Sequence, residues 1–265
     1  MTPNPTLVPT PRRVPPLAVV AGLLAVFIAG LTANVVARDG LTTIDPDIAD
    51  WAVAHRNGVL TPIAITVSNI GGTVAMTTLA TLAVIAFGWF GYWRAAALVI
   101  VTGLLSWLFV DGGKNLIARP RPPVDLHVVA KTNFAYPSGH SLGSMAIVGI
   151  VSVLLIPRLR RRVARWIAAA AAAAFVAAVG LSRIYLGVHW TTDVLGGWAI
   201  GALLVIATFS GYRYLEAREH DAGRDAAKHR SAVGDPGGAA VPVPAHPAER
   251  DVGEVDSEGQ IAGGG

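Results

Sequence analysis

From Leu17 to Ala37 the chain carries no charged side chain, and about twenty such residues are what an α-helix needs to cross the hydrocarbon core of a bilayer. Further apolar runs follow at about 62–89, 95–113, 138–156, 166–181 and 193–211. Backbone in lipid must satisfy its own hydrogen bonds, so runs of this kind become helices. The expected fold class is therefore all-α: a polytopic membrane protein, a bundle of six transmembrane helices. The charge content agrees. Of the 265 residues, 53% are hydrophobic and only 14% are charged, whereas soluble domains carry about a quarter charged residues. The first run exceeds the apolar core of a signal peptide and reads as a retained helix.

The segments between the runs set the organisation. Residues 1–16 form a proline-rich arm bearing Arg12 and Arg13. Residues 38–61 place Asp39, Asp45, Asp47 and Asp50 around Ile48, Trp51 and Val53, the pattern of a short amphipathic helix lying along the membrane surface. The second run starts at Pro62 or at Thr73, because Gly71-Gly72 interrupts it. Residues 114–139 and 182–192 read as loops. Beyond Tyr214 the apolar period is lost, and a disordered tail is expected. The division is an arm at 1–16, a six-span domain at 17–212 and a tail at 213–265.

Charge sets the orientation. Arg158, Arg160, Arg161, Arg162 and Arg165 crowd the short link between the fourth and fifth runs, and positive residues in short loops mark the cytoplasmic side. Both termini then lie in the cytoplasm, and loops 114–139 and 182–192 lie outside. An alanine-rich, lysine-poor composition suits a bacterial-type cell membrane. The net charge of +4 would be compatible with nucleic acid, but the arginines flank apolar runs. They point to the bilayer and an anionic ligand, with no nucleic-acid partner. The chain has no cysteine, which excludes disulfides, thiolate catalysis and cysteine-based metal sites.

Three stretches carry chemistry, and that topology puts all three on one face. Lys114-Asn-Leu-Ile-Ala-Arg-Pro-Arg121-Pro122 leaves the third run, Pro137-Ser138-Gly139-His140 opens the fourth, and Ser182-Arg183 with His189 and Asp193 leads into the sixth. Lys114, Arg121 and Arg183 are cations near a low-dielectric boundary, costly there unless paired. A phosphate would satisfy them, since the arginine fork matches its oxygens and lysine acts as a point charge. Ser138 suits a helix N-cap. Gly139 permits close backbone approach, and a helix N-terminus is itself an anion site. His189 and Asp193, four residues apart, would share one helix face. A carboxylate on one imidazole nitrogen makes the other more nucleophilic. No carboxylate cluster suited to a divalent ion accompanies them, so neither metal nor cofactor is expected.

Lys114 through Arg121-Pro122, Pro137 through His140, and Ser182-Arg183 with His189 and Asp193 together resemble the type 2 phosphatidic acid phosphatase (PAP2) family, related in its site to vanadium haloperoxidases. The signature of that family is Lys, six residues, Arg-Pro; Pro-Ser-Gly-His; and Ser-Arg, five residues, His, three residues, Asp. The resemblance covers about residues 17–212. It implies a metal-independent membrane enzyme that removes phosphate from a lipid through a phosphohistidine. His189 would be the nucleophile, His140 the acid for the leaving oxygen and Asp193 the orienter. Lys114, Arg121, Ser138, Gly139 and Arg183 would hold the phosphate. Phosphatidic acid, phosphatidylglycerol phosphate and polyprenyl (pyro)phosphates all fit, and the residues do not choose among them or set an oligomeric state.

Other readings stay open. The same site could pass phosphate to an acceptor other than water, or bind lipid without catalysis; vanadate-dependent oxidation is the reading of soluble relatives. Singly, each residue has an ordinary role: a structural histidine, a cation reaching from a span end to the interface, a helix cap. His55, His127, Asp111, Arg119 and Lys131 are assigned no function. Trp190 is assigned to an interfacial aromatic belt, and His220, His229 and His246 to the tail.

Overall fold

The computed structural model describes residues 16–233, and all regular structure among them is helical. In chain order the helices are α1 (Pro16–Ala37), α2 (Asp45–Ala54), α3 (Leu60–Ile70), α4 (Thr73–Trp89), α5 (Trp93–Ile117), α6 (Gly139–Leu155), α7 (Arg162–Tyr185) and α8 (Thr191–Val233). Helices α1, α5, α7 and α8 and the stretch Gly139–Arg158 are each long and apolar enough to cross a membrane, and α3 with α4 passes the same test as a pair, which makes six if the pair is one span. That span is bent by 43° at Gly71-Gly72, where the sequence left its start ambiguous. Gly72 adopts an extended conformation there, with φ −75° and ψ 170°. A Cβ on Gly71 would meet the side chain of Val179 at 2.3 Å, so the glycine lets the bend press against α7.

The bundle is held by three apolar clusters. Phe87, Ala96, Val99, Ile150 and Val205 join α4, α5, α6 and α8. Leu142, Ala146, Ile200 and Leu204 join α6 to α8, and Ala52, Ile184 and Val194 bring α2, α7 and α8 together. Lipid supplies no hydrophobic drive between spans, so close approach at small residues carries the packing. Gly197 and Gly201 of α8 do this against α6. A Cβ on Gly197 would lie 2.8 Å from the Ser138 carbonyl oxygen, and one on Gly201 would lie 2.9 Å from that of Leu142.

Several element ends differ from the sequence reading. Helix α5 runs on to Ile117, so Lys114 sits in its last turn and not in the following loop. Ala118, at a left-handed φ of 49°, ends it. Helix α7 runs on to Tyr185 and includes Ser182 and Arg183; no helix breaker appears until Gly187, whose φ is +71°. The expected surface helix is present as α2, preceded by a 3₁₀ turn at Gly40–Ile44. Asp45, Ala49 and Ala52 are buried along it, so it packs onto the bundle. Helix α8 continues to Val233, well past the expected end near 211. Residues 215–233 are therefore helical. They are rich in Ala and Arg, good helix formers, with no proline before Pro236. Among the described residues, those to Ala217 group into one compact unit and those from Arg218 into a second. The expectations for the arm at 1–15 and for 234–265 lie outside the described residues.

Candidate active site

Four helix ends meet at one end of the bundle: the C-termini of α5 and α7 and the N-termini of α6 and α8. Each supplies part of a cluster of buried polar groups. From the last turn of α5, the Lys114 ammonium donates to the Phe134 carbonyl at 2.7 Å. Arg121, in the loop that follows, donates from Nε to the Asn133 carbonyl at 2.6 Å and from one terminal nitrogen to Asn133 Oδ1 at 2.6 Å. Its other terminal nitrogen donates to the Val188 carbonyl and lies 3.1 Å from His189 Nε2. Arg183, in the last turn of α7, is 2% exposed and donates to the Ser68 hydroxyl. Its Nε and second terminal nitrogen are buried with no partner among the described residues.

Ser138 stands at the N-cap of α6 as the sequence suggested, but its hydroxyl makes no capping bond. It accepts instead from the Ser141 hydroxyl at 3.1 Å. The first-turn N–H groups of α6 are left unclosed by that side chain, the condition for anion binding at a helix start. Gly139 begins the helix close under Val110, whose Cγ1 would be 3.2 Å from an added Cβ. The His140 ring reaches the bend of the second span, where a Cβ on Gly72 would lie 3.4 Å from its Nε2. The Ser138 amide donates to the Asp193 carbonyl at 3.1 Å and ties the start of α6 to the start of α8.

His189 lies two residues ahead of α8 and not on it, so its pairing with Asp193 does not come from a shared helix face. Asp193, the third residue of α8, reaches back instead. Its Oδ2 accepts the Trp190 amide at 2.9 Å and lies 3.3 Å from His189 Nδ1. This is the reciprocal half of a capping box, which closes an N-terminal N–H. The tautomer follows from the partners. Arginine can only donate, so the His189 Nε2 facing Arg121 carries the lone pair, and Nδ1 carries the hydrogen toward Asp193. Burial first, then the positive charges of Arg121, Arg183, Lys114 and Lys131, hold the His189 pKa well below its ordinary value. The imidazole is neutral at pH 7, and its Nε2 lone pair, faced here by Arg121, is the one that can act as a base or nucleophile. Burial also lowers the Arg121 pKa, with the Asp193 charge opposing. Lys131, assigned no function from the sequence, is lowered by burial and then by Arg183 and Arg121, which places it within electrostatic reach of the cluster.

Two residues passed over in the sequence prove to be built into the site. Arg119 donates to Asp193 Oδ1, to the Thr192 hydroxyl at 2.7 Å and to Asp45 Oδ2 at 2.8 Å. Asp45 is 2% exposed, and its Oδ1 accepts the Thr192 amide at 3.0 Å. Trp190 is not simply an aromatic-belt residue: its indole donates to the Pro120 carbonyl at 3.0 Å, and its ring lies 5.8 Å from the Arg119 guanidinium carbon. Nothing local in the sequence pairs Asp45 with Arg119 across 74 positions.

The charge balance is uneven. Asp45 and Asp193 both face Arg119. Among the described residues, Lys114, Arg121 and Arg183 are bound only by carbonyl, amide, imidazole and hydroxyl groups. Three half-buried to fully buried cations thus converge without a carboxylate of their own. Buried charge of one sign is costly unless something of the other sign joins it, so the cluster is built to receive an anion.

The model of the PAP2 superfamily matches residues 91–217. This stretch of the chain resembles the PAP2 superfamily. It is 29% identical over 184 residues to phosphatidylglycerophosphatase B of Bacillus subtilis (strain 168), an alignment covering 66% of this chain and 86% of the relative. It is 31% identical over 110 residues to an undecaprenyl-diphosphatase of Sulfolobus acidocaldarius, covering 39% of this chain and 48% of that one. Among solved structures, a transmembrane PAP2-type phosphatidylglycerolphosphate phosphatase from Bacillus subtilis superposes with a TM-score of 0.68 at 25% identity, over 73% of this chain and 96% of the other. This chain is thus a multi-pass membrane protein with the fold of transmembrane PAP2 phosphatases.

Proposed function

We propose that this protein is an integral membrane lipid phosphatase that hydrolyses a phosphate monoester or pyrophosphate of a lipid through a phosphohistidine. The observation that carries the reading is the meeting of a neutral, oriented His189 with three cations that have only neutral partners, two buried N–H groups of Arg183 among them unmatched. A phosphate is the group that both features fit. Lys114, Arg121 and Arg183 bind its oxygens, with Ser138, Gly139 and the first turn of α6 closing the cradle.

In the first step the His189 Nε2 lone pair attacks phosphorus and the bond to the lipid oxygen breaks. His140 gives that oxygen its proton; the bound phosphate's negative charge beside the ring favours the protonated imidazole needed. Asp193 stabilises the positive charge that develops on His189, and the 3.3 Å approach to Nδ1 can shorten as it does. In the second step His140 takes a proton from water, the oxygen attacks phosphorus, the P–N bond breaks and inorganic phosphate leaves. Preorganised cations at the position where charge builds supply the main stabilisation, with no step routed through a metal. The site opens on the extracytoplasmic face in this reading, because the arginine-rich link between α6 and α7 occupies the other end.

The names of the relatives define the substrate panel: phosphatidylglycerol phosphate and undecaprenyl diphosphate, with phosphatidic acid beside them. Purified protein in detergent with excess EDTA is expected to release phosphate from at least one. Labelled substrate and an alkaline detergent quench, which spares a P–N bond, should trap label on the wild type and none on His189→Ala. His140→Ala should lose about 10²–10⁴ in rate on the lipid and much less on p-nitrophenyl phosphate, whose leaving group needs little protonation. Label retained by His189→Ala would overturn the assignment.

A further inference from the structure

We propose that Asp45 and Arg119 are positioning residues for this site, a two-residue brace that acts on the nucleophile through Asp193. The inference rests on the phosphatase reading above. The chain of contacts is continuous. Asp45 opens α2 and is buried against the start of α8. It accepts the Thr192 amide at 3.0 Å on one oxygen, and the Arg119 guanidinium at 2.8 Å together with the Thr192 hydroxyl on the other. Arg119 presents its second terminal nitrogen to the Thr192 hydroxyl at 2.7 Å and to Asp193 Oδ1. Asp193 Oδ2 takes the Trp190 amide and faces His189. The indole of Trp190 covers the guanidinium on one side.

This geometry does two things that Asp193 alone cannot. A carboxylate bonded on both oxygens cannot rotate, so Oδ2 stays aimed at His189 Nδ1 and the tautomer with a free Nε2 is kept. The charge is also balanced in a way that preserves the function of Asp193. Arg119 paired with Asp193 alone would cancel the negative charge that must stabilise the imidazolium. Asp45 supplies a second carboxylate, so the trio carries one net negative charge toward His189. A planar guanidinium spans two carboxylates and a hydroxyl at once, which an ammonium cannot do. Partners one step behind a reacting group typically change activity by about 10–100-fold, below the loss of about 10⁴ seen when a triad carboxylate itself is neutralised.

The experiment uses the full-length protein in detergent. Asp45→Asn, which keeps shape and removes charge, is expected to lower kcat about 10–100-fold with KM changed less than about threefold, because the phosphate-binding cations are untouched. Arg119→Ala should fall further and recover in part with millimolar guanidinium. A cavity of about 370 Å³ lined by Asp45, Arg119, Pro120 and Trp190 gives the small cation a route to the gap. His189→Ala should show no such recovery. If Asp45→Asn does not fold, Thr192→Val carries the same test, since it removes only the hydroxyl joining Asp45 to Arg119. Wild-type kcat in Asp45→Asn, or an Arg119→Ala variant that folds and ignores guanidinium, overturns the brace. The readouts also separate it from the phosphatase reading. A wild type without turnover on any lipid would sink that reading, and ¹⁵N spectra of the His189 ring would still test the brace. They should report hydrogen on Nδ1 in the wild type and a mixed tautomer in Asp45→Asn; unchanged spectra refute it.

Discussion

Replacing Gly197 by alanine asks how closely the two halves of the site depend on the seam between α6 and α8. An alanine Cβ there would stand 2.8 Å from the Ser138 carbonyl oxygen, 2.9 Å from Ser141 Cβ and 3.1 Å from the Leu142 amide nitrogen. Ordinary contacts begin at 3.4 Å, so the helices must part by about 0.6 Å. The nearest atoms are backbone or lie next to it, and no flexible side chain can yield. The shift acts at the level of Ser138, one residue from Gly139 and two from His140, while His189 and Asp193 belong to the other side of the seam. A displacement of about 1 Å in a reacting geometry can cost about 10²-fold in rate, so a loss of about ten- to a hundredfold in kcat is expected. Overpacking of this kind costs about 1–3 kcal/mol, reduced by the gain of about 1 kcal/mol that alanine brings to a helix interior. The measurements are phosphate release and the thermal unfolding midpoint in one detergent. Gly143→Ala on α6, where an added Cβ meets nothing within 4 Å, is the control and should match the wild type or exceed its stability. Wild-type kcat and midpoint in Gly197→Ala would refute the claim that this seam sets the site.

Four further outcomes are expected. Neutral His189 is the reactive form and its pKa lies well below the ordinary value, so the nucleophile's limb of the kcat/KM profile should fall well below pH 6.5. Lys131→Gln removes one of the charges that depress it, and should move that limb toward neutrality. The unfolded chain binds a proton on this histidine near pH 6.5 and the fold does not, so stability is fullest above that pH and falls as acid is added. Reporter fusions after Arg162 and after Lys131 should read cytoplasmic and external respectively; the reverse pattern would invert the proposed topology.

Much of the fold was legible because a bilayer leaves the chain few choices. The apolar runs, the bend at Gly71-Gly72 and the break at Gly187 are local in cause, and their positions can be read from local residues. Helix ends were less legible. Helix α5 carries Lys114 and α7 carries Arg183 inside a last turn, because a buried cation with a partner is compatible with helix whereas a hydropathy window stops at the charge. The same window ended α8 too early, since residues after Tyr214 keep helix propensity after losing apolar character. In the site, the residues of the three motif stretches are brought to one end of the bundle. Their contacts were not readable in the same way. His189 meets Asp193 through a reach back from the first turn of α8, not through helix spacing. Asp45 and Arg119 gave no local signal, since one of several aspartates in an acidic segment and an arginine between Ala118 and Pro120 look like surface residues until the fold brings them together.

The bond from the Ser138 amide to the Asp193 carbonyl joins the segment bearing one histidine to the segment bearing the other through main-chain atoms alone. Any residue except proline at position 138, and any residue at all at 193, still offers those two groups. The spacing of the two halves is thus metered by the peptide unit and survives a change of side chain. Substitutions at Ser138 or Asp193 should therefore alter the chemistry of the site without altering its gauge. For the same reason, such variants are suited to trapping a bound lipid in an undistorted cleft.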